Sequence, residues 1–198
     1  MTRIYDPFTQ ALETLRHSAT TGAYTPGRPI VIVDEARRLK VSPTPVREAL
    51  AWLCGEGLVE RAPAGGFLAP GLNASVLRDR YAFRMHCLFV GLDLGGAWAE
   101  PGLGDSDLHQ GFAGLVQSTG NIALAEAFSR VAGRLALVQA FEDELLGGGE
   151  IEAEKLRALS PGQGLRQAIK IYHERRMTAA PQLVSRILQR RPDAALEP

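Results

Sequence analysis

"VSPTPVREALAWLCGEGLVERAPAGGFLAPG", residues 41–71, opens on two prolines, continues as an apolar-periodic segment and ends at a double glycine inside an apolar run. Prolines are tolerated in the first turn of a helix, where the early N–H groups have no intrahelical partner, and Ser42 or Thr44 can cap such a start. The spacing places Val46, Ala49, Leu50 and Leu53 on one face and leaves Thr44, Arg47, Glu48 and Ala51 outward near the N-terminal end. That end carries unpaired donors and the positive pole of the helix dipole, so it suits an anion such as phosphate. Arg47 is the side chain in those turns able to reach a phosphate or to read a guanine edge with two hydrogen bonds.

Toward the N-terminus, Phe8, Ala11, Leu12 and Leu15 recur at helical spacing between Pro7 and about Thr20, with Asp6 placed to cap and Pro7 at the first helical position. Gly22 stops this helix, Pro26-Gly27 turns the chain, and "PIVIV", residues 29–33, is a short β-rich run ahead of "DEARRLK", residues 34–40, a helix of one to three turns. On the other side, "GLVERAPAGGFLAP", residues 57–70, reads as two short strands around a tight turn. Gly65 and Gly66 sit at its tip, where the missing side chains let backbone approach a partner closely. Three helices followed by a hairpin, the second and third joined by a short turn, make a winged helix-turn-helix arrangement.

"APGLNASV", residues 69–76, breaks this pattern as a linker, with Asn73 or Ser75 ready to cap the next helix. Beyond it, Val76–Trp98, Asp105–Ser118, Ile122–Leu145 and two segments between Glu150 and Arg191 carry helical periodicity, and strand signals are nearly absent. The sequence therefore predicts a mainly α protein in two domains: residues 1–73, a winged helix-turn-helix with three helices and a β-hairpin wing, and residues 74–198, an all-helical bundle.

The whole chain adds bounds. Its 198 residues suffice for one core or two small ones, and 22 basic against 22 acidic residues leave any nucleic-acid surface to a local patch. Residues 1–73 hold 8 basic and 7 acidic side chains, which predicts a modest phosphate grip. Arg37, Arg38 and Lys40 are placed either to add charge to it or to stand as ordinary solvated residues of an exposed helix. Cys54 and Cys87 lie in apolar surroundings and suit buried thiols in a reducing cytosol. The N-terminus lacks the pattern of a secretory signal, and no stretch approaches the roughly 20 apolar residues of a membrane span, so a cytoplasmic protein is expected.

"TTGAYTPGRPI" (20–30), "VSPTPVREALAWLCGEGLVE" (41–60) and "PAGGFLAPGLNASVLRDRYAFR" (63–84), in that order and spacing, resemble the GntR superfamily of bacterial transcription regulators, in its FadR-like branch. The resemblance implies DNA binding: Arg47 falls at the recognition-helix arginine, Thr44 at a phosphate- or base-contacting position beside Ser42, and Gly65-Gly66 at the wing tip. It also implies departures, since many members have arginine where this chain has Pro43, and some have a DNA-contacting arginine where it has Val33. A homodimer reading two half-sites of a double-stranded operator is the expected assembly.

"DSDLHQGFAGLVQSTGNIAL", residues 105–124, resembles the helical FCD domain that accompanies this branch. That resemblance implies a divalent metal such as zinc on Asp105, His109 and His173, with the usual third histidine missing and Glu150, Glu152 or Glu154 as oxygen substitutes. Asp105 can equally be a helix N-cap and His109 a hydrogen-bonded half-buried residue. Without metal, Arg80 and Arg84, one turn apart, are candidates to clamp a carboxylate effector. Glu142, Asp143 and Glu144 point around a helix and not at one centre, unlike a pair poised for acid and base work, Arg175, Arg176, Arg190 and Arg191 read as solvated on helix surfaces, and Trp52 and Trp98 read as packing residues. The functional expectation is a transcription regulator, a repressor in the family's common pattern, sensing a small carboxylate metabolite. A constitutive dimeric regulator is the alternative, and a metal-dependent enzyme a more distant one, because no acid/base pair accompanies the candidate ligands.

Overall fold

A computed structural model describes residues 6–97 and 108–189. They form two compact units, one of residues 6–72 with residues 185–189, the other Asn73–Val184.

In the first unit, helix α1 (Pro7–Thr21) buries Ala11 and Leu15, and helix α3 (Pro43–Glu56) meets it with Val46, Ala49, Leu50 and Leu53. The apolar face read from residues 41–71 is thus the core of this unit. Arg16 and Glu56 tie the two helices at 2.6 Å, a pair about one-third exposed and so worth at most about 1 kcal/mol. Asp6 makes no side-chain cap bond, contrary to its predicted role; Pro7 fixes the start of the helix in its place. Ser42 stands at the N-cap position of α3, also without a side-chain bond, and Thr44 lies inside the first turn.

"PIVIV" divides between two elements. Pro29–Ile30 is strand β1, whereas Ile32 already begins helix α2 (Ile32–Leu39), because Asp34 and Glu35 favour a helix N-terminus there. Strands β2 (Glu60–Arg61) and β3 (Phe67–Leu68) form the hairpin, and β1 pairs with β3 from the other side, giving an antiparallel sheet in the order β1-β3-β2 with Ile30 and Arg61 both opposite Phe67. Phe67 is buried. Helix α2 ends at Lys40, whose φ of 55° is left-handed, and whose N–H closes the helix on the Ala36 and Arg37 carbonyls.

The second unit contains α4 (Ala74–Asp93), α5 (Leu108–Gln117), α6 (Ile122–Leu146), α7 (Gly149–Arg157) and α8 (Gln163–Gln189), the last crossing the unit boundary at Ser185. Asn73 caps α4 by accepting from the Val76 N–H at 2.8 Å, and Asn121 caps α6 by accepting from Leu124 at 3.0 Å. α4 stops five residues before the predicted end. Its chain turns at Gly95-Gly96, where the Gly96 N–H returns to the Gly91 carbonyl, and a Cβ on Gly96 would lie 2.6 Å from the Leu115 carbonyl oxygen. The core is built from Leu88, Phe112, Leu115, Val116, Leu165 and Ile169, all fully buried.

Candidate nucleic-acid interface and buried polar centre

The first turn of α3 is held from below and open above. Pro45 and Val46 are buried, while Ser42, Pro43, Thr44, Arg47 and Glu48 are exposed. Among the described residues Arg47 has no hydrogen-bond or ion-pair partner, so its fork of donors is free beside the helix N-terminus. Arg37 and Arg38 differ. Arg37 pairs with Asp34 at 3.2 Å, and Arg38 pairs with Glu35 and donates to Ser18 Oγ at 3.3 Å, so each carries its own carboxylate. Lys40 is exposed in the turn just ahead of α3.

At the wing tip, Gly65 donates to the Ala62 carbonyl at 2.9 Å and Ala62 donates to the Gly66 carbonyl at 3.2 Å. Both glycines have positive φ, 93° and 85°, with open space where a Cβ would stand. The hairpin needs them for its backbone conformation, and the same choice leaves the tip bare. The Arg61 guanidinium stacks over Phe67 at 5.3 Å at the base of the wing. Trp52, expected in the packing, is 58 % exposed on the outward face of α3, its indole N–H donating to Glu56 at 3.0 Å. Burial pushes the Cys54 thiol up, away from reactivity.

The second unit hides an ionic centre. Arg84 is 1 % exposed; its Nε donates to His173 Nε2 at 3.1 Å and its Nη1 faces His109 Nδ1 at 3.5 Å. The rings of Tyr81, Phe112 and Tyr172 surround the guanidinium at 5.4–5.8 Å. Arg80 turns elsewhere, its Nη1 reaching the Arg134 carbonyl at 3.5 Å, so the two arginines do not form the clamp that their spacing suggested. Glu142 accepts from Tyr81 Oη at 2.6 Å and from Arg176 Nε, and Arg176 also donates to Glu152 at 3.0 Å and lies 3.3 Å over the Tyr172 ring. Burial opposes the charge on Glu142, but the Arg176 and Arg84 guanidiniums and the Tyr81 hydroxyl outweigh it and hold the carboxyl below its usual range. Burial pushes the Tyr172 phenol up to about 12.

Glu142 and Arg176 are therefore buried, Arg176 contrary to the solvated position expected of it. Each stands on a continuous core stripe: Val131, Leu135, Val138, Glu142 on α6 and Leu165, Ile169, Tyr172, Arg176 on α8, as Arg84 does with Leu77, Tyr81 and Leu88 on α4. A charge that keeps the phase of an apolar stripe is the signal of such burial. A cavity of about 350 Å³ adjoins this centre, lined by Leu108, His109, Gln139, Glu142, Tyr172 and Arg176 among others, with Glu150 at its wall. Of the three candidate glutamates, Glu152 is already engaged by Arg175 and Arg176. Asp105 lies outside the described residues, and among the described residues no group of three His, Cys, Asp or Glu side chains could hold a metal ion.

Burial first, and then the Arg84 charge, hold His173 well below the ordinary imidazole value of 6.5. The unfolded chain binds more protons than the folded one in mild acid, so this contribution is complete above the unfolded value and is lost as pH falls toward the folded one. Unfolding free energy is expected to drop by about 1 kcal/mol from pH 6 to pH 5 through this group. Urea titrations of the wild type and His173→Phe at those two values check it, and equal pH slopes would reject His173 as the source.

A short helix, a turn, an exposed helix start and a glycine-tipped hairpin together define a winged helix-turn-helix domain. Residues 8–68 match the model of bacterial regulatory proteins, gntR family, and the N-terminal segment is a GntR-family domain. Over 61 residues the chain is 44% identical to the Nta operon transcriptional regulator of Aminobacter aminovorans, an alignment that takes in 31% of this chain and 29% of that protein. The chain thus spans less than a third of this curated relative. The crystal structure of a GntR transcriptional regulator from Rhodococcus sp. RHA1 matches 90% of this chain and 97% of its own at a TM-score of 0.60 and 19% identity, a likeness of fold. Among the described residues no helix is long and apolar enough to cross a membrane.

Proposed function

We propose that this protein is a sequence-specific transcription regulator, a repressor, that binds a double-stranded operator as a homodimer in the cytoplasm and releases it when the second unit takes up a small carboxylate. The observation that carries the reading is the unpaired Arg47 on the exposed first turn of α3, within a domain of the GntR family. Phosphate contacts from the helix start and the wing would set the register, and Arg47 would read a base edge. A second unit that only dimerises is the rival reading. Two buried donors without partners, Arg84 Nη2 and Gln139 Nε2, favour a ligand.

Selection of bound sequences from a random duplex pool, followed by fluorescence anisotropy on the selected site, tests the first part. A protein that recovers no common sequence, or binds it no better than random duplex, is not the regulator proposed. Sedimentation with the site tests the dimer, and loss of anisotropy on adding organic acids tests release.

A further inference from the structure

We infer that Arg84 is the resident cation of the second unit: it takes the place between His109 and His173 that a divalent metal would need, and leaves Nη2 to donate to an incoming oxyanion. The anion half rests on the effector reading above; the metal half does not.

Three observations carry it. First, His173 Nδ1 lies 2.7 Å from the Ile169 carbonyl, which only accepts, so Nδ1 bears the proton and Nε2 the lone pair. That lone pair, the one a metal would take, accepts from Arg84 Nε, and His109 Nδ1 faces Nη1 of the same guanidinium. Second, the guanidinium is fully buried and boxed by three aromatic rings, so it has no solvent into which to move aside for a metal. Third, Arg84 makes no ion pair among the described residues, because the nearby Glu142 carboxylate is bound by Tyr81, Arg176 and Tyr172. A buried cation with an orphan N–H calls for a partner that only accepts and carries negative charge, and Gln139, which lines the cavity, holds a second orphan donor. The cavity of about 350 Å³ has room for a small organic acid, and His109 and Tyr172, which both touch the Arg84 guanidinium, line it.

The test uses the full chain after treatment with a chelator. Zinc and manganese are titrated calorimetrically into the wild type and into His109→Ala. Melting is then followed with acetate, succinate and citrate, with and without each metal, for the wild type and Gln139→Leu. No saturable metal binding that depends on His109 is expected. A carboxylate should raise the melting temperature equally with and without metal, with affinity reduced about tenfold or more in Gln139→Leu. One equivalent of zinc or manganese bound in the wild type and lost in His109→Ala overturns the inference, as does a carboxylate shift that requires metal. No shift with any of the three acids removes the anion half together with the effector reading, while the metal titration still decides the other half.

Discussion

Arg176→Met is expected to destabilise the second unit by about 3–5 kcal/mol, because it removes one partner of a buried ion pair and leaves the other charged. Glu142 would keep only the Tyr81 and Tyr172 hydroxyls, at 2.6 and 3.5 Å, against the full penalty of its burial. The loss should be nearly independent of salt, since both groups are 3 % exposed. Equilibrium urea unfolding followed by circular dichroism measures it. The double variant Arg176→Met/Glu142→Gln should recover a large part of the loss, because it deletes the uncompensated charge as well. A single variant less than about 1 kcal/mol below the wild type would show that the pair is solvated in solution.

On the DNA side, Arg47→Ala should lower the preference for the selected operator over random duplex by about 1–3 kcal/mol, roughly tenfold to a hundredfold, if Arg47 reads a base. Anisotropy titrations on both duplexes across a salt series separate the alternatives. Equal weakening on both, with the salt slope reduced by about one, would make Arg47 a phosphate contact and move base reading elsewhere. Arg37→Ala supplies the contrast. Its guanidinium already holds Asp34 three residues away on an exposed face, so its removal deletes a charge pair and not a free cation, and a much smaller effect is expected.

How much of the molecule is legible in its sequence differs between the two units. In the first, local rules suffice: prolines in a first turn, an apolar face at Val46, Ala49, Leu50 and Leu53, and a double glycine in a hairpin each dictate one geometry, and all three appear where the spacing puts them. The misses are of phase and capping, as with Ile32 entering a helix in place of a strand and Asp6 making no cap. In the second unit the helices are legible from periodicity, but the polar centre is not. Arg84, Glu142 and Arg176 are 58 and 34 positions apart in succession, and nothing local distinguishes a buried arginine from a solvated one. Their pairing is a property of three helices packed together. Only the phase of each charge within its apolar stripe hints at burial, and the run of three acids around Glu142 and the paired arginines at Arg175-Arg176 mask that phase.

If Lys40 adds its charge to the proposed DNA contact, it sets heat resistance and operator grip in opposition at a single position. A lysine held at φ 55° costs about 1 kcal/mol that glycine would not, yet it sets an exposed ammonium directly ahead of the reading helix. Lys40→Gly is therefore expected to melt higher and to bind its site with a shallower salt dependence, and one melting curve beside one salt series reads both. A lineage selected for stability alone would drift toward glycine here, whereas one selected for occupancy of its operator would keep the strained lysine.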